Sequence, residues 1–122
     1  MDAYGHVNNA RFLTLYEEAR AALLFGDGKP AGATGMQRGI VVARHEIDYL
    51  RPIDYGDPVQ IELWVDEIRP SRFSVGYEMY GAGQLASRAR SVLVPYDLAA
   101  GRPRRLSDAE RAFLAEWFDV TD

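Results

Sequence analysis

The start of the chain is dense in side chains that can do chemistry. Asp2 supplies a carboxylate, His6 an imidazole, and Asn8 and Asn9 two amides, directly before an amphipathic segment that runs to Phe25. That segment predicts a helix, whose first N–H groups have no partner within it and bind anions with the help of the helix dipole. A carboxylate beside a helix start is what acyl transfer to water requires. One group attacks or activates water, and the other stabilises the developing oxyanion.

The composition is that of a single globular domain spanning residues 1–122. With 122 residues, the chain is long enough for one core and too short for two. No apolar run approaches the roughly 20 residues of a membrane span, so no membrane partner is expected. A net charge of −4 with interspersed signs argues against nucleic-acid binding. Cysteine is absent and histidine occurs twice, which fits a cytoplasmic location and makes a metal site improbable.

Two hydrophobic periodicities predict an α+β fold. Apolar residues at helical spacing form one helix face, made of Phe12, Leu15, Tyr16, Ala19, Ala22 and Leu23. Alternating apolar and polar residues then predict four strands, at 43–49, 59–66, 73–79 and 85–96. The breaks at 70–71 and 81–83 suit hairpins, so we expect a meander of four consecutive antiparallel strands. Ser107 and Glu110 form a capping-box pattern that predicts a short C-terminal helix. A lone sheet that must cover an apolar helix curls around it.

Several of these segments resemble a known family. Residues 2–9 with Phe12, followed by residues 16–20, resemble the start of hotdog-fold acyl-CoA thioesterases of the 4-hydroxybenzoyl-CoA thioesterase type. Residues 49–57, 71–73 and 89–96 are similar to later segments of that family, so the resemblance covers nearly the whole chain. It implies a hotdog fold, in which an antiparallel sheet wraps a central helix. It also implies a homodimer, or a tetramer built as a dimer of dimers, with active sites at the dimer interface.

The resemblance implies roles for individual residues. Asp2 corresponds to the catalytic carboxylate, and the backbone N–H of Asn9 corresponds to the group that polarises the thioester carbonyl. His6 is a second catalytic candidate, because plant acyl-carrier thioesterases share the His-Val-Asn-Asn run and use the histidine. Those enzymes carry an asparagine where this chain has Tyr4. The residues expected to contact the substrate are Tyr4, Gly5, Phe12, Tyr16, Ser71 and Arg72.

One feature departs from the family pattern, in which a β-strand precedes the aspartate. Only Met1 precedes Asp2 here. Catalytic geometry tolerates only about 0.5 Å of looseness, and a preceding strand would anchor the carboxylate. We therefore expect the natural product to extend upstream by roughly ten residues, about one strand with a short lead. If the chain begins at Met1, weak activity is expected instead.

The expected activity is hydrolysis of an acyl-CoA thioester to the free acid and coenzyme A, with no cofactor beyond the coenzyme A of the substrate. Asp2 either attacks the carbonyl or activates water, since a carboxylate does both. Two alternatives stay open: a hotdog hydratase or dehydratase that pairs Asp2 with His6 or His45, and a non-catalytic acyl-CoA-binding module. Four arginines are either solvated strand charges or contacts to coenzyme A phosphates: Arg69, Arg72, Arg88 and Arg90.

Overall fold

A computed structural model describes residues 9–25 and 39–118 of the chain. The elements are α1 (Asn9–Phe25), β1 (Ile40–Tyr49), β2 (Val59–Arg69), β3 (Arg72–Gly81), β4 (Gln84–Asp97), β5 (Arg102–Pro103) and α2 (Asp108–Ala115). The predicted order of a helix, four strands and a second helix is therefore confirmed. The strand expected before Asp2 would lie upstream of Met1, and residues 1–8 are outside the described residues, so that expectation stays a prediction.

The four long strands form one antiparallel sheet in the order β1-β4-β3-β2. Strands β2, β3 and β4 make a meander, but β1 pairs with β4 and not with β2, so the predicted meander of four strands was wrong. The physical reason lies in the connection after β1, which contains two prolines and crosses the end of the sheet instead of turning back. Its Ile53 is buried against Gly81 of β3, and the N–H groups of Leu50 and Arg51 both donate to the Ala86 carbonyl of β4.

The core lies between α1 and one face of the sheet. On the helix, the buried side chains are Phe12, Tyr16, Leu23 and Leu24; on β3 they are Phe73, Val75, Tyr77 and Met79. These sets follow the helical period and the strand period of two, and the rings of Tyr16 and Tyr77 lie 5.0 Å apart between centroids. The opposite face of the sheet carries Trp64, whose indole covers Gly76 so closely that a Cβ there would lie 2.6 Å from the ring.

The C-terminal helix is fixed to the sheet by polar contacts. Ser107 and Glu110 form the predicted capping box, and the fully buried Glu110 carboxylate accepts two hydrogen bonds from Arg104, at 2.7 and 2.8 Å. Beyond the helix, the Val65 N–H of β2 donates to the Trp117 carbonyl at 2.8 Å. This contact places the end of the described chain against the outer edge of β2.

Candidate active site

The helix that the sequence predicts after the first eight residues is present, and its described part starts at Asn9. N–H groups in the first turn of a helix lack partners within the helix, and the oxyanion role of the Asn9 N–H stays a prediction. The Tyr49 hydroxyl, at the end of β1, donates to the Asn9 carbonyl at 3.4 Å, and the Tyr49 ring lies 5.5 Å from the Phe12 ring. Tyr49 therefore holds the helix start against the sheet. The sequence analysis assigned no role to Tyr49 itself, although the residue ends an alternating strand and opens the family-like segment 49–57.

Four predicted site residues fall outside the part of the chain that the structure describes. They are Asp2, Tyr4, Gly5 and His6. Their catalytic and substrate-binding roles stay predictions. Asn9, the predicted site residue that follows them in the sequence, is described.

Phe12 and Tyr16, predicted to contact substrate, lie in the core between α1 and the sheet. Burial raises the pKa of Tyr16 to about 12, against the opposing effect of the nearby Ser87 hydroxyl. The Ser87 hydroxyl itself donates to the Asp48 carbonyl at 2.9 Å. Since both aromatic rings pack inward, their contact with an acyl group stays a prediction.

Ser71 and Arg72 line a cavity of about 510 Å³ at the β2–β3 hairpin, together with Arg69, Pro70 and Val94. The Glu67 carboxylate lies 3.3 Å from Arg69 and 3.9 Å from both Arg72 and Arg90. Arg69 and Arg72 are themselves exposed and Glu67 is partly exposed, so solvent screens these pairs and each contributes little to stability.

The other two arginines are held in ion pairs across the sheet. Arg88 lies 3.4 Å from Glu78. Arg90 lies 3.0 Å from Asp66 and donates to the Ser74 hydroxyl at 2.8 Å. Of the four arginines considered for phosphate contact, the structure places only Arg69 and Arg72 at the hairpin cavity.

The hairpin and the helix start lie at opposite ends of the sheet. Tyr49, beside the helix start, pairs with Ser87 of β4, whereas Phe73, beside the hairpin, pairs with Leu93 of the same strand. Six residues of β4 separate these two positions, which corresponds to about 20 Å. One chain therefore does not bring its own Asn9 and Arg72 together.

A hydrogen-bonded chain of four side chains runs beneath α1. The Arg20 guanidinium donates to the Tyr77 hydroxyl at 3.0 Å and to the Ser91 hydroxyl at 3.4 Å. Tyr77 donates to Ser91 at 2.9 Å, and the Ser91 oxygen lies 2.6 Å from His45 Nδ1. The helix thereby connects to β3, β4 and β1. Arg20 turns inward to these partners, whereas Glu17, one turn before it on α1, is exposed.

Arginine only donates, so the Tyr77 and Ser91 oxygens both accept from Arg20. The Ser91 hydroxyl and His45 Nδ1 share a hydrogen bond whose donor is set by the His45 tautomer. His45 Nε2 is buried and has no hydrogen-bond partner among the residues described. Burial, and secondly the Arg20 charge, lower the pKa of His45 from its ordinary 6.5, against an opposing effect of Glu17.

The described residues contain no group of three or more His, Cys, Asp or Glu side chains that could hold a metal ion. Neither helix in residues 9–25 and 39–118 is long and apolar enough to cross a membrane.

Comparison with known proteins places the chain among thioesterases. Residues 1–118 match the family described as the thioesterase-like superfamily. The 1,4-dihydroxy-2-naphthoyl-CoA hydrolase of Synechococcus elongatus is 30% identical over 123 residues, covering 98% of this chain and 88% of the relative.

Solved structures agree in fold. A thioesterase of Thermus thermophilus, solved with coenzyme A and Zn, is 32% identical with a TM-score of 0.77, covering 96% of this chain and 85% of that one. A predicted thioesterase of Bacillus stearothermophilus is 26% identical with a TM-score of 0.84, covering 99% and 90%. The chain therefore belongs to the thioesterase-like superfamily and is a hotdog-fold thioester hydrolase.

Proposed function

We propose that the protein hydrolyses the thioester of an acyl-coenzyme A, giving the free acid and coenzyme A. The thioester carbonyl accepts a hydrogen bond from the Asn9 N–H at the start of α1. The Asp2 carboxylate activates a water molecule or attacks the carbonyl itself. In the first route water bonds to the carbonyl carbon, its proton passes to Asp2, the C–S bond breaks, and that proton is released to the thiolate.

The observation that carries this proposal is the contact between the Asn9 end of α1 and the sheet. The described part of the helix starts at Asn9, the residue whose N–H the family resemblance assigns to the carbonyl. Tyr49 and Phe12 hold that helix turn against the sheet. A fixed N–H donor stabilises an oxyanion without reorganising during the reaction.

Coenzyme A is proposed to bind with its phosphates at the hairpin of a second protomer. Arg69, Ser71 and Arg72 line the hairpin cavity, and they lie at the far end of the sheet from the helix start of their own chain. A homodimer, alone or doubled into a tetramer, brings the hairpin of one copy to the helix start of the other. A cytoplasmic location follows from the same proposal, because coenzyme A thioesters are held inside cells, and the reaction needs no resident cofactor.

For the acyl group, we propose an aromatic acid that carries a hydroxyl group. The support comes from the relative in Synechococcus elongatus, which is named as the hydrolase of 1,4-dihydroxy-2-naphthoyl-CoA. Hydration or dehydration is less well supported, because that chemistry needs an imidazole free to exchange protons with substrate. His45 is engaged through Nδ1 by Ser91, and its Nε2 is buried.

The test is thiol release from a panel of acyl-CoA thioesters, measured for the unchanged protein and for Asp2→Asn. We expect the variant to lose at least roughly a hundredfold in kcat, because an amide neither attacks nor takes up a proton at neutral pH. His6→Ala is expected to lose less.

An Asp2→Asn protein that retains most of its rate would exclude the carboxylate mechanism. A loss in His6→Ala as complete as in Asp2→Asn would favour the histidine-centred route. An absorbance change of an enoyl-CoA without thiol release would favour the hydratase alternative.

A further inference from the structure

The C-terminal segment, residues 104–110, contains a buried ion pair that takes no part in the proposed reaction. The Glu110 side chain is fully buried and that of Arg104 is 9% exposed. The guanidinium donates to both carboxylate oxygens, at 2.7 and 2.8 Å. Compared with apolar residues of the same volume, a buried ion pair adds little net stability. Its paired hydrogen bonds fix a geometry instead, and that geometry bears on the hairpin cavity.

The segment is bound to β4 beside one wall of that cavity. The Arg104 backbone N–H donates to the Pro95 carbonyl at 3.0 Å, and its guanidinium Nε donates to the Tyr96 carbonyl at 3.2 Å. Val94, directly before Pro95, lines the hairpin cavity. Arg104 therefore joins the C-terminal segment to the strand that forms this wall.

The same segment is bound to the opposite wall, which is the hairpin loop. Pro70 and Ser71 are the two loop residues, because Arg69 of β2 pairs with Arg72 of β3. The Leu106 N–H donates to the Pro70 carbonyl at 2.9 Å, and the Leu106 side chain is buried in the core. Since Pro70 lies outside the paired residues of the two strands, this hydrogen bond holds the loop from outside the sheet.

The capping box of α2 links these two attachments. The Ser107 N–H donates to the Glu110 carboxylate at 2.8 Å, and the Glu110 N–H donates to the Ser107 hydroxyl at 3.1 Å. Leu106 directly precedes Ser107, so the position of its N–H depends on this box. A continuous set of contacts therefore runs from β4 through Arg104 and Glu110 to the hairpin loop.

The two arginines of the hairpin depend on the backbone that carries them. The side chains of Arg69 and Arg72 are 59% and 56% exposed. An exposed arginine loses rotamer freedom when it binds a phosphate. If the loop is already fixed, no further backbone freedom is lost on binding, so a rigid support raises the affinity.

We propose that Arg104 and Glu110 are positioning residues for coenzyme A. They hold the hairpin loop at a fixed place relative to β4, so that Arg69 and Arg72 are in position to bind the phosphates. The pair itself does not touch the substrate. This inference rests on the proposed function, which places the phosphates at this hairpin, and it adds the contacts that set the affinity for coenzyme A.

The test compares two thioesters of the same acid by thiol release. 4-Hydroxybenzoyl-CoA contains the phosphates, and the N-acetylcysteamine thioester of 4-hydroxybenzoic acid lacks them. Arg104→Lys retains the charge but loses the paired hydrogen bonds. We expect it to raise KM for the CoA ester about tenfold, which corresponds to about 1.4 kcal/mol. KM for the phosphate-free ester and kcat for both should stay unchanged, and equal changes for the two esters would overturn the proposal.

Two further variants support this comparison. Arg111→Lys makes the same substitution at an exposed arginine of α2, and we expect it to leave both KM values unchanged. Ser107→Ala removes the capping hydroxyl and leaves the ion pair in place, so it should raise KM for the CoA ester by a smaller factor. If Arg104→Lys does not fold, Ser107→Ala decides the question. An unchanged KM for the CoA ester in Ser107→Ala would then overturn the proposal.

Arg72→Ala distinguishes failure of this inference from failure of the proposed function. If the phosphates bind at the hairpin, Arg72→Ala raises KM for the CoA ester alone. Arg104→Lys should then have a smaller effect in the Arg72→Ala protein than in the unchanged one, because residues that share a contact are not additive. Full additivity would overturn only the positioning role. An unchanged KM in Arg72→Ala, or no thiol release from either ester by the unchanged protein, would overturn the proposed function as well.

Discussion

At the residue scale, the proposed chemistry uses a backbone N–H, which ordinary side-chain substitutions leave in place. Asn9 is the first described residue of α1, and the proposal places it in the first turn of the helix. An N–H there is not needed by the helix, and proline is well tolerated there because its fixed φ suits a helix start. Proline therefore removes the donor without removing the helix.

We predict that Asn9→Pro lowers kcat roughly a hundredfold to a thousandfold, the usual cost of one lost oxyanion donor. Asn9→Ala keeps the N–H and removes only the side chain, so it should retain most of the rate. Thiol-release kinetics and circular dichroism measure activity and helix content in parallel. Equal losses in the two variants would show that the asparagine side chain, and not its N–H, is required.

At the element scale, α2 depends on the buried pair of Arg104 and Glu110. Burial by itself raises the pKa of Glu110, but the hydrogen bonds from Arg104 and the Ser107 N–H outweigh it and hold the pKa below its ordinary 4.5. Because the folded-state pKa is depressed, the contribution to stability is full above about pH 4.5 and is lost as the pH falls toward the folded value.

Removing one partner of this pair should therefore be costly. We predict that Arg104→Met lowers the free energy of unfolding by about 3–5 kcal/mol at pH 7, because it leaves a buried carboxylate uncompensated. The control is Arg102→Met, a change of an exposed arginine on β5, which should have little effect. Urea unfolding at pH 7 and at pH 4 measures the free energy of unfolding of both variants. The loss of stability caused by Arg104→Met should be smaller at pH 4. An effect that stays constant with pH would contradict the role of the Glu110 charge.

The helix and strands were largely predictable from the sequence, because burial on one face imposes periods of 3.6 and two. The strand that pairs with β1 was not predictable, since the connection from β1 to β2 is long. The burial of Ile53 against Gly81 decides the path of that connection. Ala22 was assigned to the buried stripe but is exposed. The inward turn of Arg20 was also missed, because its partners Tyr77 and Ser91 lie 57 and 71 residues away in the chain.

At the scale of the whole molecule, the sheet has two different edges and the proposed site needs a second copy at one of them. Val41 on β1 and Val59 on β2 are similarly exposed, at 40% and 39%, so they offer a matched comparison of the two edges. A lysine on an edge strand opposes pairing with another chain.

We predict that Val41→Lys yields a monomer at micromolar concentration and loses thiol release, whereas Val59→Lys remains an active oligomer. Sedimentation velocity and activity are measured on the same samples. The unchanged protein should sediment as a dimer or tetramer. A monomeric unchanged protein, or dissociation by Val59→Lys alone, would contradict pairing at β1.

The hydrogen-bonded chain from Arg20 to His45 has a consequence for how this fold tolerates substitution. Each member is hydrogen-bonded to the next, so a single apolar replacement leaves a donor or an acceptor without a partner beneath α1. We therefore expect substitution to be tolerated only when all four residues are replaced together: Arg20, Tyr77, Ser91 and His45. A library that randomises them together would recover folded variants that stepwise mutagenesis misses, with either the whole polar set or an entirely apolar one.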